Sequence, residues 1–240
     1  MEYDFAICYF GLPRSVKYVY ESHNANIFNV LKEKGLTYKI FMHSWKTKDS
    51  NQRVWQHTIR QKIDYDEYKL LNPDVYKLDS QEEFFETINM DDYYYEQEKK
   101  KEWIPKLLKN HICALGSQMR VYNMMKNDSN KFKYVMIIRP DAFFPNPLPI
   151  DKIIPLKDKE FMISDHRHYE GLNDRFCICN EIDSDIYMCR LDKMKDFRKN
   201  TGRITAERYL KYAMKNHNCN VKKIKWDFDL ARPDGSYAKV

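Results

Sequence analysis

Short apolar runs alternate with amphipathic stretches along most of the chain. Asp4–Phe10, DFAICYF, predicts a first strand, apolar and rich in aromatics. Gly11-Leu12-Pro13-Arg14 breaks it. Ser15 is placed to cap a helix over Val16–Lys34, which stops before Gly35, the usual residue at that end. Tyr38–His43 predicts a second strand, and residues 46–70 are polar and mixed, with a hint of a helical stripe in Trp55, Ile59 and Ile63. Val75–Leu78 predicts a short third strand, with Asp79 or Ser80 capping a helix over Gln81–Ile88. From Trp103 to Lys126 the apolar positions Ile104, Leu108, Ile112, Leu115, Met119 and Tyr122 step by 4, 4, 3, 4 and 3, the spacing of a helix with one buried stripe. Tyr134–Ile138, YVMII, is continuously apolar, as a strand buried on both faces of a parallel sheet would be. Phe161–Ile163 and Phe176–Cys179 add strands, Thr205–Asn216 a helix capped by Thr205, and Val221–Phe228 a terminal strand.

Strands alternating with helices predict an α/β fold, a mostly parallel central sheet flanked by helices. The 240 residues are consistent with one domain over 1–240, with a polar insertion at about 89–101 around DDYYYEQEKKK. Hydrophobic residues at 43% and charged residues at 32% exclude wholesale disorder. The net charge of +6 is a mild excess, its basic residues interleaved with acidic ones, so a nucleic-acid partner is not expected. No run approaches the ~18 apolar residues of a membrane span. The first residues, with Glu2 and Asp4 ahead of a short apolar run, lack the basic start of a secretory signal. The six cysteines fall mostly in strand-like runs and read as free buried thiols. A cytoplasmic protein is expected.

In such folds ligands sit at the carboxyl ends of strands, so the residues that follow each strand matter most. After the first strand, Gly11 allows a tight turn and Arg14 can reach a phosphate in bidentate fashion; a plain strand-to-helix turn is the competing reading. Neither a dinucleotide fingerprint nor a P-loop is present. After the second strand, Trp45 can stack on a base and His43 can bond a ribose or phosphate, or both can simply be packed. After the most apolar strand comes Arg139-Pro140-Asp141. Pro140 ends the ladder, so a cation and a carboxylate leave the strand end together. Such a carboxylate binds a divalent cation or a sugar hydroxyl, and such an arginine neutralises a diphosphate.

Between two apolar strands, ISDHRHYEGLNDRF gathers Asp165, His166, His168, Glu170, Asn173, Asp174 and Arg175 around Gly171. These residue types suit acid–base work or hydroxyl recognition. A zinc site from His166, His168, Cys177 and Cys179 has no standard spacing, and two small buried cysteines on one strand face explain that pair as well. Glu207 suits the first turn of a helix through the helix dipole. Arg232-Pro233-Asp234-Gly235 reads as a turn.

The ordered string GLPRS, HSW, IIRPDAFF, GLNDRF, TAERYL and RPDG resembles a poorly characterised group of nucleotide-sugar glycosyltransferase-like proteins of the GT-A fold, found in giant viruses, microbes and algae. The resemblance implies a Rossmann-like sheet holding a nucleoside-diphosphate sugar, a UDP- or GDP-type donor, and a glycan or glycoprotein acceptor. If the source is viral, it places the protein in host cytoplasm. It implies donor binding by Gly11, Leu12, Arg14, His43, Trp45, Gln118, Arg120, Arg139 and Asp141. The family's Asp-x-Asp motif for Mn²⁺ or Mg²⁺ corresponds to Arg139-Pro140-Asp141, so arginine replaces the first aspartate and Asp141 alone remains for a metal. Asp174, then Asp165, are implied as the acceptor base, with His166, His168, Asn173 and Glu207 on sugar hydroxyls. A catalytically inactive nucleotide-sugar-binding domain is the alternative that the missing aspartate raises.

Overall fold

The computed structural model describes residues 1–48, 51–54, 57–93, 103–201 and 205–237, with backbone alone for 51–54, 57–62, 103–106 and 200–201. The chain begins with β1 (Glu2–Phe10). A broken helical segment follows, with α1 (Tyr20–His23) and α2 (Asn29–Glu33), and then β2 (Tyr38–Lys46). A hairpin of β3 (Asn51–Val54) and β4 (His57–Lys62) leads to β5 (Val75–Ser80), α3 (Gln81–Glu86) and the long α4 (Trp103–Lys126). Next come β6 (Lys131–Ile138), β7 (Ala142–Phe143), β8 (Glu160–Ser164) and β9 (Phe176–Asn180). The chain continues with α5 (Ser184–Met188), α6 (Met194–Thr201), α7 (Ala206–Asn216), β10 (Asn220–Ile224) and β11 (Asp229–Leu230).

Seven strands form the central sheet in the order β10-β8-β9-β6-β1-β2-β5. Every neighbouring pair is parallel except those made by β9, which runs against both β6 and β8. The chain lays β1, β2 and β5 outward in one direction, then returns to place β6 on the other flank of β1. Between β1 and β6 the winding reverses, so the loops at their carboxyl ends diverge and leave a crevice. A two-stranded pair, β7 with β11, closes over the segment after β6, and the Ala231 N–H bonds the Asp141 carbonyl at 2.9 Å.

The strands are buried on both faces because apolar side chains occupy both alternations. Phe5, Ile7 and Tyr9 pack with Ile27, Leu31, Phe144 and Trp226 on one side. Ala6, Cys8 and Phe10 pack with Val121, Tyr187 and Leu210 on the other. Cys177 and Cys179 share that second face, as their spacing predicts, and all six cysteines are free. The stripe of α4 is buried at Leu108, Ile112 and Leu115.

Several local expectations are corrected. Val16–Lys34 is not one helix but a 3₁₀ turn, α1, a π turn over Asn24–Phe28, and α2. Tertiary anchoring accounts for the break. The His23 ring meets the Ala142 carbonyl at 2.6 Å, Asn26 Nδ2 donates to the Phe144 carbonyl at 2.7 Å, and Ser22 Oγ accepts from the Phe144 N–H at 3.2 Å. Ser15 has φ 69° and makes no side-chain cap bond, so it does not cap. Thr205 precedes α7 but its hydroxyl caps nothing. Ser80, by contrast, accepts from the Glu83 N–H at 3.2 Å as expected. The helical hint at Ile59 and Ile63 fails, since β3 and β4 pair as an antiparallel hairpin; Trp55 lies outside the described residues, as does most of the polar insertion. The terminal strand ends at Ile224, after which Trp226 and Phe228 turn inward against Phe144.

Candidate functional site at the sheet's carboxyl edge

Gly11 ends β1 at φ 105°, a conformation that L side chains rarely adopt, and its N–H bonds Ser117 Oγ at 2.9 Å. Ser117 lies on α4 and also meets the end of β2, with its Oγ 2.8 Å from His43 Nδ1 and 3.1 Å from the His43 carbonyl. One buried hydroxyl thus ties two strand ends to the long helix. Beside it opens a cleft of about 170 Å³. Gly11, Leu12, Arg14, Trp45, Arg139 and Asp141 line it, six of the nine residues expected to hold a donor, together with Gln81 and Asn110, which carry no local signal.

Asp141 is 2% exposed. Arg139 grips it in a fork, Nε to Oδ1 at 2.8 Å and Nη2 to Oδ2 at 2.5 Å, while Arg14 Nε stands 3.9 Å from Oδ2. Burial alone would raise the Asp141 pKa; Arg139 first, then Arg14, bring it below the ordinary carboxylate value. Two guanidinium groups on one carboxylate leave this end of the cleft with a net positive charge. The donor set does not fit a divalent cation. Both Asp141 oxygens are taken by Arg139, and no group of three or more His, Cys, Asp or Glu side chains suited to a metal occurs among the described residues. That also removes the zinc alternative on His166, His168, Cys177 and Cys179.

His43, Gln118 and Arg120 do not line the cleft, and Trp45, which does, has partners within the fold. His43 is fully buried between Ser117 and Asp79, with Nε2 3.3 Å from Asp79 Oδ2, and burial pushes its pKa down to about 4. Trp45 reaches the cleft, but its indole stacks on Phe84 at 4.7 Å and lies 4.5 Å from the Arg120 guanidinium. Its N–H donates to the Cys113 carbonyl at 2.9 Å, and the residue is 1% exposed. Arg120 Nε bonds Asp79 Oδ2 at 3.0 Å, pinning β5 to α4. Gln118 is buried beside Ser117 with Oε1 unpartnered, and it does not line the cleft.

The β8–β9 loop divides sharply. Asp165 stands exposed after β8, paired with His168 at 3.1 Å and Lys223 at 3.4 Å. His166 bonds Ser164 Oγ at 2.5 Å and the Phe228 carbonyl at 3.0 Å. Asn173 is fully buried, donating to the His166 carbonyl at 2.8 Å and accepting from the Arg175 N–H at 3.0 Å. These side chains brace the loop. Gly171 is needed because α7 touches it: a Cβ there would lie 2.0 Å from the Glu207 carbonyl carbon and oxygen. A close approach was legible in the glycine, but the approaching group is this chain's own helix.

Asp174 turns inward. Arg175 Nη1 lies 3.3 Å from its Oδ1. Burial opposes its ionisation, but Arg175, then His111, Arg190 and Arg139, hold its pKa below the ordinary value. Glu207, which accepts from Arg175 Nη2 at 2.8 Å, moves the other way: burial and then the charge of Asp174 raise its pKa, outweighing Arg175. Two nearby carboxylates are therefore driven apart in acidity by their surroundings. Arg175 was noted in the sequence only as part of the polar cluster, and His111 and Arg190 carried no assigned role there. Gly116-Ser117-Gln118, a small and polar run between the stripe positions Leu115 and Met119 of α4, was the available signal for Ser117.

A mixed seven-stranded α/β sheet with a cationic cleft at its winding reversal defines the class of protein. Residues 108–232 match the family model described as Domain of unknown function (DUF7796), and the chain belongs to that family. Comparison with curated proteins finds no match. Among solved structures the chain is similar to the crystal structure of mouse xyloside xylosyltransferase 1 in its apo form, with a TM-score of 0.42 and 9% identity over 93% of this chain and 85% of that one.

Proposed function

We propose that the protein is a glycosyltransferase that moves a sugar from a nucleoside-diphosphate sugar of UDP or GDP type to a glycan or glycoprotein acceptor. The observation that carries this reading is the pair Arg14 and Arg139 converging on buried Asp141 in the cleft between β1 and β6. When a nucleoside diphosphate leaves the anomeric carbon, negative charge grows on its phosphate oxygens, and preorganised guanidinium groups stabilise it. Asp141 serves here by holding Arg139 rigid, so little reorganisation accompanies charge development. Backbone after Gly11 lies against the same cleft, where a phosphate can approach closely.

Deprotonation of the acceptor hydroxyl needs a carboxylate of suitable basicity. Asp174 stays ionised and suits stabilisation of positive charge at the anomeric carbon. Glu207, expected from the sequence only on sugar hydroxyls, has a raised pKa and is the better proton acceptor of the two. Asp165, exposed and paired with His168 and Lys223, is the weakest candidate for either role.

A second reading, a binding domain without turnover, is favoured by the misfit between Asp141 and a divalent cation. Thermal shift and donor hydrolysis with a panel of UDP-, GDP- and dTDP-sugars, with and without Mn²⁺, separate the two. Turnover supports the transferase, a shift without hydrolysis supports the binder, and no response to any donor refutes both. Arg14→Ala is expected to weaken donor binding at least about tenfold, the scale of one charge-assisted contact.

A further inference from the structure

Two small residues let α4 come close to the carboxyl ends of β1 and β2. A Cβ on Gly116 would lie 2.6 Å from the Phe84 ring, and Ser117 beside it is fully buried. Phe10 of β1 is in register with His43 of β2, so the Gly11 N–H and the His43 ring both fall within reach of the one Ser117 hydroxyl. A chain of contacts runs on from there. Ser117 Oγ is 2.8 Å from His43 Nδ1, and His43 Nε2 is 3.3 Å from Asp79 Oδ2. Asp79 accepts from Arg120 Nε at 3.0 Å, with Lys77 Nζ 3.3 Å from its other oxygen. An ionised carboxylate only accepts, so it selects the His43 tautomer with its proton on Nε2 and leaves Nδ1 as the acceptor. The Ser117 hydroxyl then donates to Nδ1 and keeps its lone pairs for the Gly11 N–H.

Hydroxyl, imidazole and carboxylate in line are also the parts of a hydrolytic triad. Ser117 and His43 are fully buried and neither lines the cleft, so the hydroxyl has no path to a substrate. What the chain of bonds does hold is a piece of the cleft wall. Phe10, Gly11, Leu12 and Arg14 all line the cleft, and the turn they form starts at Gly11, whose φ of 105° and captured N–H set the direction of the backbone toward Arg14. We propose that Ser117 is a positioning residue for diphosphate binding: through the Gly11 N–H it keeps this turn, and Arg14 with it, where a nucleoside diphosphate needs them, without touching the ligand. Ser117 has this role only if the cleft takes a nucleoside diphosphate, so the proposal rests on the donor reading.

Titration calorimetry of the full chain with UDP and with GDP tests it. The wild type is expected to bind at least one of them, and Ser117→Ala should weaken the better ligand about tenfold, as displacement of a binding group does. Asp79→Asn keeps the hydroxyl but removes the charge that selects the His43 tautomer, and should weaken the same ligand several-fold. Phe28→Ala controls for stability. Phe28 stacks on Tyr38 at the opposite end of β2, so its loss should lower the melting temperature and leave the affinity unchanged. Wild-type affinity in Ser117→Ala overturns the proposal alone; if that variant does not fold, wild-type affinity in Asp79→Asn does so. An equal loss of affinity in Phe28→Ala assigns the effect to stability and overturns it as well. A wild type that binds neither UDP nor GDP refutes the donor reading, and this proposal with it.

Discussion

Two polar regions share the carboxyl edge of the sheet and differ in what their side chains serve. After β1 and β6, the backbone leaves the ladder briefly and is caught at once: the Gly11 N–H by Ser117, the Asp141 carbonyl by Ala231. Arg14 and Arg139 are thereby left to line a cleft. After β8, the chain wanders over residues 165–175, with Arg167, Tyr169 and Glu170 all at positive φ. An irregular backbone has polar groups that no strand satisfies, and His166, His168 and Asn173 are consumed in satisfying them. Polar residues at strand ends thus give a ligand-facing surface in one place and a braced loop in the other. Asp174 and Arg175 sit instead where the loop turns back into β9.

The contrast can be broken at several points. The largest effect is expected from Arg139→Leu, which strands a buried Asp141 and should cost about 3–5 kcal/mol in chemical denaturation. Replacing both partners with apolar residues should cost less than that single change. A near-silent single variant would mean that Asp141 is not held by the arginine fork.

Acid sensitivity comes next, and it belongs mainly to the first region. Burial pushes His23, under Ala142, and His43, on Ser117, down to about 4 from 6.5, and does the same to His111 beside Asp174. Each is neutral when folded and takes a proton more readily when unfolded. Their contribution is present above the unfolded value and is lost as pH falls from about 6.5 toward 4, by up to roughly 3 kcal/mol each. Replacing His43 by Gln should flatten the stability profile across that window; an unchanged slope would sink this assignment.

Gly171→Ala tests the braced loop. Its Cβ meets Glu207 backbone, which cannot swing aside as a side chain can, so about 2 kcal/mol of destabilisation is expected from overpacking. The same shift should separate Glu207 from Arg175, lowering turnover more than donor affinity. The smallest change in stability is expected from Arg14→Ala, within about 1 kcal/mol by thermal denaturation, since that side chain is partly exposed and its contact with Asp141 is long. A loss of stability there comparable to Arg139→Leu would erase the distinction between a cleft and a brace.

Much of the architecture was legible because it depends on local pattern. The α4 stripe, the apolar runs of β1 and β6, and the Ser80 cap are all set by side chains near one another in the chain, where period and hydrogen-bonding type decide the outcome. The strand-end position of Arg14, Arg139 and Asp141 followed from the same logic, since proline and glycine end a strand wherever they fall. The π turn after His23 and the uncapped Ser15 were not legible, because contacts with residues 142–144, more than a hundred positions away, override helix propensity there. The roles of polar residues were decided only in three dimensions. His43 and Trp45, expected to follow the second strand, lie within β2, which runs on to Lys46, and α4 and Phe84 cover them. Nothing local to Asp174 and Glu207 reveals that one is held ionised and the other driven toward its neutral form, since that difference arises from the fields of Arg175, His111, Arg190 and each other. Sequence determines which chemical groups reach the edge of the sheet; packing determines which of them still face outward.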